Sequence, residues 1–574
     1  MNKMTNELLQ GYENTKYHHF SEITESFPNS VWYDELPQTE VTGVLKSCRY
    51  VNGRLLQIYS EKENHVGVIA GTRLGKTTSY VIPTVISFSR AKNKRSMIIS
   101  DPKGEIYRHT AATLKNEGYT VLLLNFRDYR HSECWNPLTP IYRKYQHIFD
   151  IYDEVGVVDT QDGPRNCLHG KIYEDQSELD GEIERWINMM TEEVGNDIDN
   201  IATMVISTVN TRDPYWEDSA RELLKAYLWA MLEDSKAENL EGADPDSCRE
   251  LMSEDTFSFA TIITLMCMLN SSSEEFDGGY FTSRPKTSRA YQIAKATIPE
   301  RAATTRQCIF SVFSSKMAVF RECAMRLVTS CNSFDLNGVL TGDKPVAIFI
   351  DYRDELKVHF KVISLFVQDA YRLLIEHANA QEEGKRKTPF YFILDEFGNF
   401  PQMSDFETTI SACAGRNIFF ILIIQSYAQL VGVYEDACAA IIRDNLNMHV
   451  FFGSNNPQTL EEFSKECGKI TRISPLSALN GKGVELDNYT LETIPLVPIS
   501  MLSHFAPGEC IITEANCGYV MYSRLERYYL CNEFSNLPLD SEQVYTCAIS
   551  PLDSKYVFKI KPQKSSGRKS LFDF

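Results

Sequence analysis

The sequence has little of what membrane spans, disulfide scaffolds and nucleic-acid coats require. Its longest uninterrupted apolar run is Ile418–Ile424, far short of the roughly 20 residues that cross a bilayer. The opening MNKMTNELLQGYENTKYHHF holds no apolar core of the kind a signal peptide needs. The chain is therefore expected to be soluble. Fifteen cysteines occur without one C-x-x-C pair, which argues against a disulfide framework or zinc ribbon and for the reducing cytoplasm. No surplus of basic charge exists either. The net charge is −19, unlike that of a protein that passively coats nucleic acid. A motor remains allowed, because it needs basic groups only along the path of its substrate. Internal repeats are lacking too.

What is present is an ordinary globular composition, 43% hydrophobic and 24% charged over 574 residues, enough for two to four domains. Short apolar runs recur at Val66–Ala70, Met97–Ser100, Val121–Phe126, Val346–Ile350, Phe390–Leu394, Ile418–Ile424, His449–Gly453 and Cys510–Thr513. Several are apolar at consecutive positions, as in strands of a mostly parallel sheet covered on both faces. The series breaks between Ile141 and Gly342. There Ile183–Val194, Asn200–Val209, Asp218–Leu232 and Phe257–Leu269 show three- and four-residue apolar spacing, with a loop at Gly163-Pro164. The expected organisation is an α/β domain in two parts, 61–150 and 341–535, with an all-α insertion at 151–340. Residues 1–60 carry no readable fold, and 536–574 read as a basic tail.

Two motifs carry chemistry. Gly71-Thr72-Arg73-Leu74-Gly75-Lys76-Thr77-Thr78 follows the strand ending at Ala70. Such a loop turns backbone N–H groups and a lysine toward phosphates at a helix start, and the next hydroxyl, here Thr77, binds magnesium. Ala70 stands where the usual first glycine would be. A Gly-Lys-Thr turn alone occurs by chance, but a second motif joins it. The apolar strand Phe390–Leu394 ends in Asp395-Glu396, one carboxylate for magnesium and one to polarise the attacking water. Both motifs, in this order and each at the carboxyl end of a strand, predict ATP hydrolysis with Mg2+. Gln425 ends the strand Ile418–Ile424, either as a γ-phosphate sensor or as a polar strand cap. Arg416 precedes that strand, either as a finger into a neighbouring subunit or as a loop arginine.

Around these lie Asp101-Pro102-Lys103-Gly104-Glu105, Cys134-Trp135-Asn136-Pro137-Leu138, Asp213-Pro214-Tyr215-Trp216, Asp395-Glu396-Phe397-Gly398-Asn399 and Ile424-Gln425-Ser426. Together, from about Val66 to about Tyr529, the chain resembles the coupling ATPases of type IV secretion systems. That resemblance implies a RecA-like P-loop motor with an inserted all-α domain, working as a homo-oligomer, commonly of six. It implies partners too: single-stranded DNA with its bound relaxase, a type IV secretion channel and membrane-anchoring proteins. In the family an arginine between the Asp-Glu and Gln motifs acts across subunits, which assigns that part to Arg416. The family's N-terminal membrane helices have no counterpart here, so either partners recruit the chain to the cytoplasmic face of the membrane, which is the expectation, or an anchor lies upstream of this sequence. Competing readings are a hexameric translocase for segregation, a coupling ATPase that selects protein effectors, and a nucleotide-gated adaptor without turnover.

A path for the strand is expected in Gly278–Arg321, where Arg284, Lys286, Arg289, Lys295, Arg301, Arg306, Lys316 and Arg321 face only Glu300. Tyr280 and Tyr291 are interleaved, suited to phosphate contact or base stacking. The opposing reading is a basic surface that balances acidic neighbours within the insertion.

Overall fold

A computed structural model describes residues 16–19, 25–154, 157–160, 163–166, 175–206, 213–241, 249–269, 280–298, 303–353, 355–403, 405–475 and 489–539. Its strands are β1 (Lys16–His19), β2 (Ser30–Trp32), β3 (Leu45–Val51), β4 (Arg54–Tyr59), β5 (Val66–Ala70), β6 (Ser96–Asp101), β7 (Thr120–Asn125), β8 (Val157–Thr160), β9 (Gly163–Asn166), β10 (Val346–Asp351), β11 (Phe390–Leu394), β12 (Ile418–Ile424), β13 (Met448–Gly453), β14 (Lys469–Pro475), β15 (Tyr489–Pro495), β16 (Glu509–Glu514) and β17 (Tyr519–Arg524). The described residues form two compact units, one from within 1–127, 336–360 and 370–539, the other from within 128–335 and 361–369.

The first unit is built on a ten-stranded sheet of order β1-β17-β16-β13-β5-β12-β11-β6-β10-β7. Every neighbouring pair is parallel except the two made by β16. All eight apolar runs of the sequence are strands of this sheet. Its central strands are buried along their whole length, β11 and β12 included. Across that pair Phe392 stacks on Phe420 at 4.9 Å and Tyr391 meets Phe419 at 5.3 Å. Such continuous burial is what helices on both faces demand. The first sixty residues contribute the edge strand β1 and a separate three-stranded antiparallel sheet of order β2-β4-β3. β17 escaped the sequence reading because YVMYSR lies at the sheet's flank and exposes part of its surface.

The second unit is mostly helical. Residues Gln176–Val205 form one helix, opened by Asp175, whose carboxylate accepts the Glu178 N–H at 2.9 Å. The two periodic stretches the sequence separates here are thus joined. Tyr215–Glu233 packs on Arg289–Thr297 and Ala303–Lys316, with Tyr227 stacked on Phe313 at 5.7 Å. Gly163-Pro164 is not a loop. It begins β9, which pairs antiparallel with β8, so the unit carries a hairpin besides its helices. No helix among the described residues is long and apolar enough to cross a membrane.

Candidate active site

Parallel strands present their carboxyl ends at one edge of a sheet, and ligands gather there. The edge here collects β5, β6, β10, β11 and β12, each followed by a residue with chemistry. Behind β5 the chain turns through Gly71–Gly75, and the Gly71 N–H is tied to the Gly453 carbonyl at 2.9 Å. Ala70, in place of the usual glycine, is simply the buried last residue of β5. Arg73 and Gly75 both have positive φ, 67° and 96°. At Gly75 a Cβ would sit 3.1 Å from Ser79 Oγ, so glycine is the residue that fits this turn. A π-helical turn, Lys76–Val81, then leads into the helix Ile82–Arg90.

Lys76 meets both carboxylates that follow β11. Its Nζ lies 3.2 Å from Asp395 Oδ1 and also bonds Glu396 Oε1. Thr77 Oγ1 donates to Asp395 Oδ2 at 3.2 Å. Gln425 Nε2 donates to Glu396 Oε2 at 3.1 Å, and the Gln425 amide is held by Gln429 Oε1 at 3.0 Å. Burial works against the Lys76 ammonium, but Asp395 and Glu396 outweigh it and hold its pKa above the usual lysine value. Burial likewise lifts the Asp395 carboxyl, with Lys76 opposing. Glu396 itself adopts φ 57°, a conformation a non-glycine residue keeps only where its surroundings impose it.

The five residues Lys76, Thr77, Asp395, Glu396 and Gln425, taken from three strand ends, thus converge. They fit a magnesium-bound nucleoside triphosphate: a hydroxyl and a carboxylate 3.2 Å apart, an ammonium beside them, and an exposed turn at Thr72, Arg73 and Leu74. Gly71, Thr72, Arg73, Leu74 and Thr78 complete the loop and first turn. Arg416 does not join them. It sits at the amino end of β12, bonded to Asn379 Oδ1 and the Ala412 carbonyl, both at 2.8 Å.

The structure gives places to residues that the sequence reading left without a role. Ser100 Oγ and Tyr352 OH donate to the Asp395 carbonyl at 3.0 and 3.3 Å. Asp101 and Asp351 lie in register on β6 and β10. Asp101 accepts the Tyr107 N–H at 2.8 Å, and Asp351 is bonded by Arg127 Nε at 3.1 Å. Gly104, φ 65°, lets the Asp-Pro-Lys-Gly turn pass Asp351, whose Oδ2 would be 3.0 Å from a Cβ there. Burial raises the Asp101 pKa from 3.8 to about 7, against the Tyr107 amide and with help from Asp351 and Asp395. One signal was available: each of these residues ends an apolar strand, as Asp395 does.

In the second unit the expected strand path is corrected at Arg284. Its side chain is fully buried, bonded to Asp234 Oδ2 at 2.5 Å and Glu233 Oε2 at 3.1 Å, and its partner in the argument, Tyr280, is buried as well. The acids of the neighbouring helix, about fifty residues earlier, neutralise it. Arg289 is half-buried and bonds Glu192 at 2.8 Å, and Lys316 lies 3.4 Å from Glu217. Lys286 and Lys295 are exposed and Arg306 is half-buried. Arg301, like the tail Lys555–Lys569, lies outside the described residues. The Asn-Pro-Leu segment is a packing element: Asn136 Nδ2 donates to the Phe257 carbonyl at 2.8 Å and Trp135 meets Phe366 edge-on at 4.9 Å.

The chain is similar to known proteins. The chain is 22% identical over 441 residues to the conjugal transfer protein TraG of Escherichia coli, covering 75% of this chain and 59% of that protein. It is 23% identical over 411 residues to VirD4 of Agrobacterium fabrum, covering 71% and 50%. The chain thus spans between half and three-fifths of the length of these relatives. Among solved structures, the bacterial conjugative coupling protein TrwBdeltaN70 superposes with a TM-score of 0.54 at 15% identity, covering 86% of this chain and 91% of that one. Plasmid coupling protein TrwB in complex with ADP and Mg2+ gives 0.51 at 14%, covering 84% and 87%. The fold is the RecA-like P-loop α/β fold that TrwB has. Residues 33–477, most of the chain, match the family described as type IV secretory system conjugative DNA transfer, and the chain belongs to it.

Proposed function

We propose that the protein is an ATP-hydrolysing coupling protein that drives single-stranded DNA, with its bound relaxase, into a type IV secretion channel. The observation that carries the reading is the convergence of Lys76, Thr77, Asp395, Glu396 and Gln425 at one sheet edge. The relatives named above, TraG and VirD4, and the ADP–Mg2+ complex of TrwB support it.

In this reading the N–H groups of Thr72, Arg73 and Gly75 and of the first helical turn hold phosphate oxygens, and Lys76 places its charge over them. Thr77 and Asp395 would hold magnesium, which spreads the phosphate charge. Lys76 then exchanges its carboxylate contacts for phosphate contacts. That frees Glu396 Oε1 to take the proton of the attacking water while Gln425 keeps Oε2 in place. Arg416 acts in a neighbouring subunit of a ring, commonly of six. The helical insertion deals with cargo, and membrane-anchored channel partners recruit the chain to the cytoplasmic face of the membrane. Lys286, Lys295 and Arg306 stay as candidates for phosphate contact.

The test is phosphate release by the purified chain with ATP and Mg2+, with and without single-stranded DNA. Turnover that DNA stimulates supports the proposal. No turnover under either condition, with ATP bound, turns it into a nucleotide-gated adaptor.

A further inference from the structure

β17 runs parallel to β5, because both of its intervening turns of direction are made by β16. The chain leaving β17 therefore emerges at the same edge as the phosphate loop. Two backbone bonds set its course, Leu525 N–H to the Gly508 carbonyl at 2.8 Å and Glu526 N–H to the Cys48 carbonyl at 3.0 Å. Next comes Arg527. Its Nε lies 3.9 Å from the point a Cβ on Gly75 would occupy, and Thr78 Oγ1 and Ser79 Oγ lie 3.5 and 3.1 Å from that same point.

That Nε is shielded from solvent and has no hydrogen-bond partner among the described residues, an expensive arrangement unless a ligand completes it. Arg527 Nη1 donates to the Tyr529 hydroxyl at 2.7 Å, and Tyr529 is 46% exposed. The intervening Tyr528 anchors the turn, with its hydroxyl 2.9 Å from His109 Nε2 and the two rings 4.7 Å apart. Asn532 N–H is held by the Tyr50 hydroxyl at 3.0 Å. A guanidinium and an open aromatic face are thus mounted rigidly beside the first turn after the phosphate loop. When Lys76 attends the β- and γ-phosphates, that turn is where the α-phosphate lies, and the nucleoside extends past it.

We infer that Arg527 and Tyr529 form the nucleoside-side wall of this site, Arg527 bonding the α-phosphate and Tyr529 offering its ring face to the base. The inference rests on the reading of Gly71–Thr78 as a nucleotide site. Both residues lie beyond the family match, which ends at residue 477. Guanidinium suits the part because its planar fork bonds phosphate oxygens in pairs. A ring face suits a base because every base has a π-face to stack.

The test is calorimetric binding of ATP and of inorganic tripolyphosphate to the full chain. Arg527→Gln is expected to weaken both by about tenfold or more, with Arg527→Lys intermediate. Tyr529→Ala is expected to weaken ATP by about tenfold and to leave tripolyphosphate unchanged, while Tyr529→Phe binds ATP as the parent does. Tyr529 is half exposed, so its truncation carries the test even where Arg527→Gln unfolds. If Arg527→Gln and Tyr529→Ala bind ATP like the parent while Lys76→Ala does not, the inference is overturned and the phosphate-loop reading stands. If the parent binds neither ligand, the phosphate-loop reading falls and takes the inference with it.

Discussion

Gln425 and Lys76 hold the two oxygens of one carboxylate, Gln425 on Oε2 of Glu396 at 3.1 Å and Lys76 on Oε1. Glu396, the proposed general base, is thereby held from both sides by residues twenty-nine positions later and 320 positions earlier in the chain.

This geometry separates binding from chemistry. Glu396→Gln is expected to keep ATP affinity and lose at least about 10²-fold in turnover, the usual worth of a positioned base. Lys76→Ala is expected to lose affinity, because it removes the charge over the phosphates. Paired measurements of ATP binding and phosphate release check both. A normal rate for Glu396→Gln would mean another group takes the proton.

Asp101 predicts a pH dependence of stability. Its folded pKa, about 7, stands above the unfolded value of 3.8, so the folded chain binds this proton more tightly. Stability from this group is fully present below the unfolded value, falls as pH rises toward about 7, and is level above it. Asp101→Asn keeps an oxygen for the Tyr107 N–H and cannot ionise. Melting temperatures between pH 5 and about pH 8 should therefore fall less steeply for the variant. Parallel slopes would show that Asp101 is ionised throughout.

Arg416 predicts dependence on assembly. The seven-residue strand β12 separates it from Gln425 by roughly 23 Å at about 3.3 Å per residue, beyond the reach of its side chain to the nucleotide site of its own chain. A finger acting across subunits contributes about 10³–10⁵ in rate. Turnover should rise steeply with protein concentration, and Arg416→Ala should be nearly silent. Mixing it with Glu396→Gln should recover activity, since some interfaces then hold one intact base and one intact arginine. An unimpaired Arg416→Ala would leave Arg416 as the cap of Asn379 and Ala412.

Arg284 predicts a loss of stability rather than of DNA affinity. Removing it takes the counter-charge from Glu233 and leaves Asp234 to Arg249 alone, 3.0 Å away, and breaking a buried pair costs about 3–5 kcal/mol. Lys286→Ala, at an exposed position, should stay within about 0.5 kcal/mol. Urea denaturation of both variants checks this. Equal stability would mean that the acids of this pair are solvated in the folded chain.

Much of the α/β unit was legible in the sequence for a local reason. Consecutive apolar residues mark a strand covered on both faces, so Phe390–Leu394 and Ile418–Ile424 declared themselves with their boundaries. The residue types after them, Asp395, Glu396 and Gln425, are set by chemistry at a strand end. Tertiary structure alone decided which strands are neighbours, and so which distant residues share an edge. Nothing local in Tyr352 or Arg527 points to Asp395 or Gly75. Register across β6, β10 and β11 and the course of β17 bring them there. The basic segment is the converse case. Its charges were legible but their partners were not, because Glu233 and Asp234 meet Arg284 only once the turn that carries it packs against the end of the helix Tyr215–Glu233, and packing turned a surface charge into a buried counter-ion.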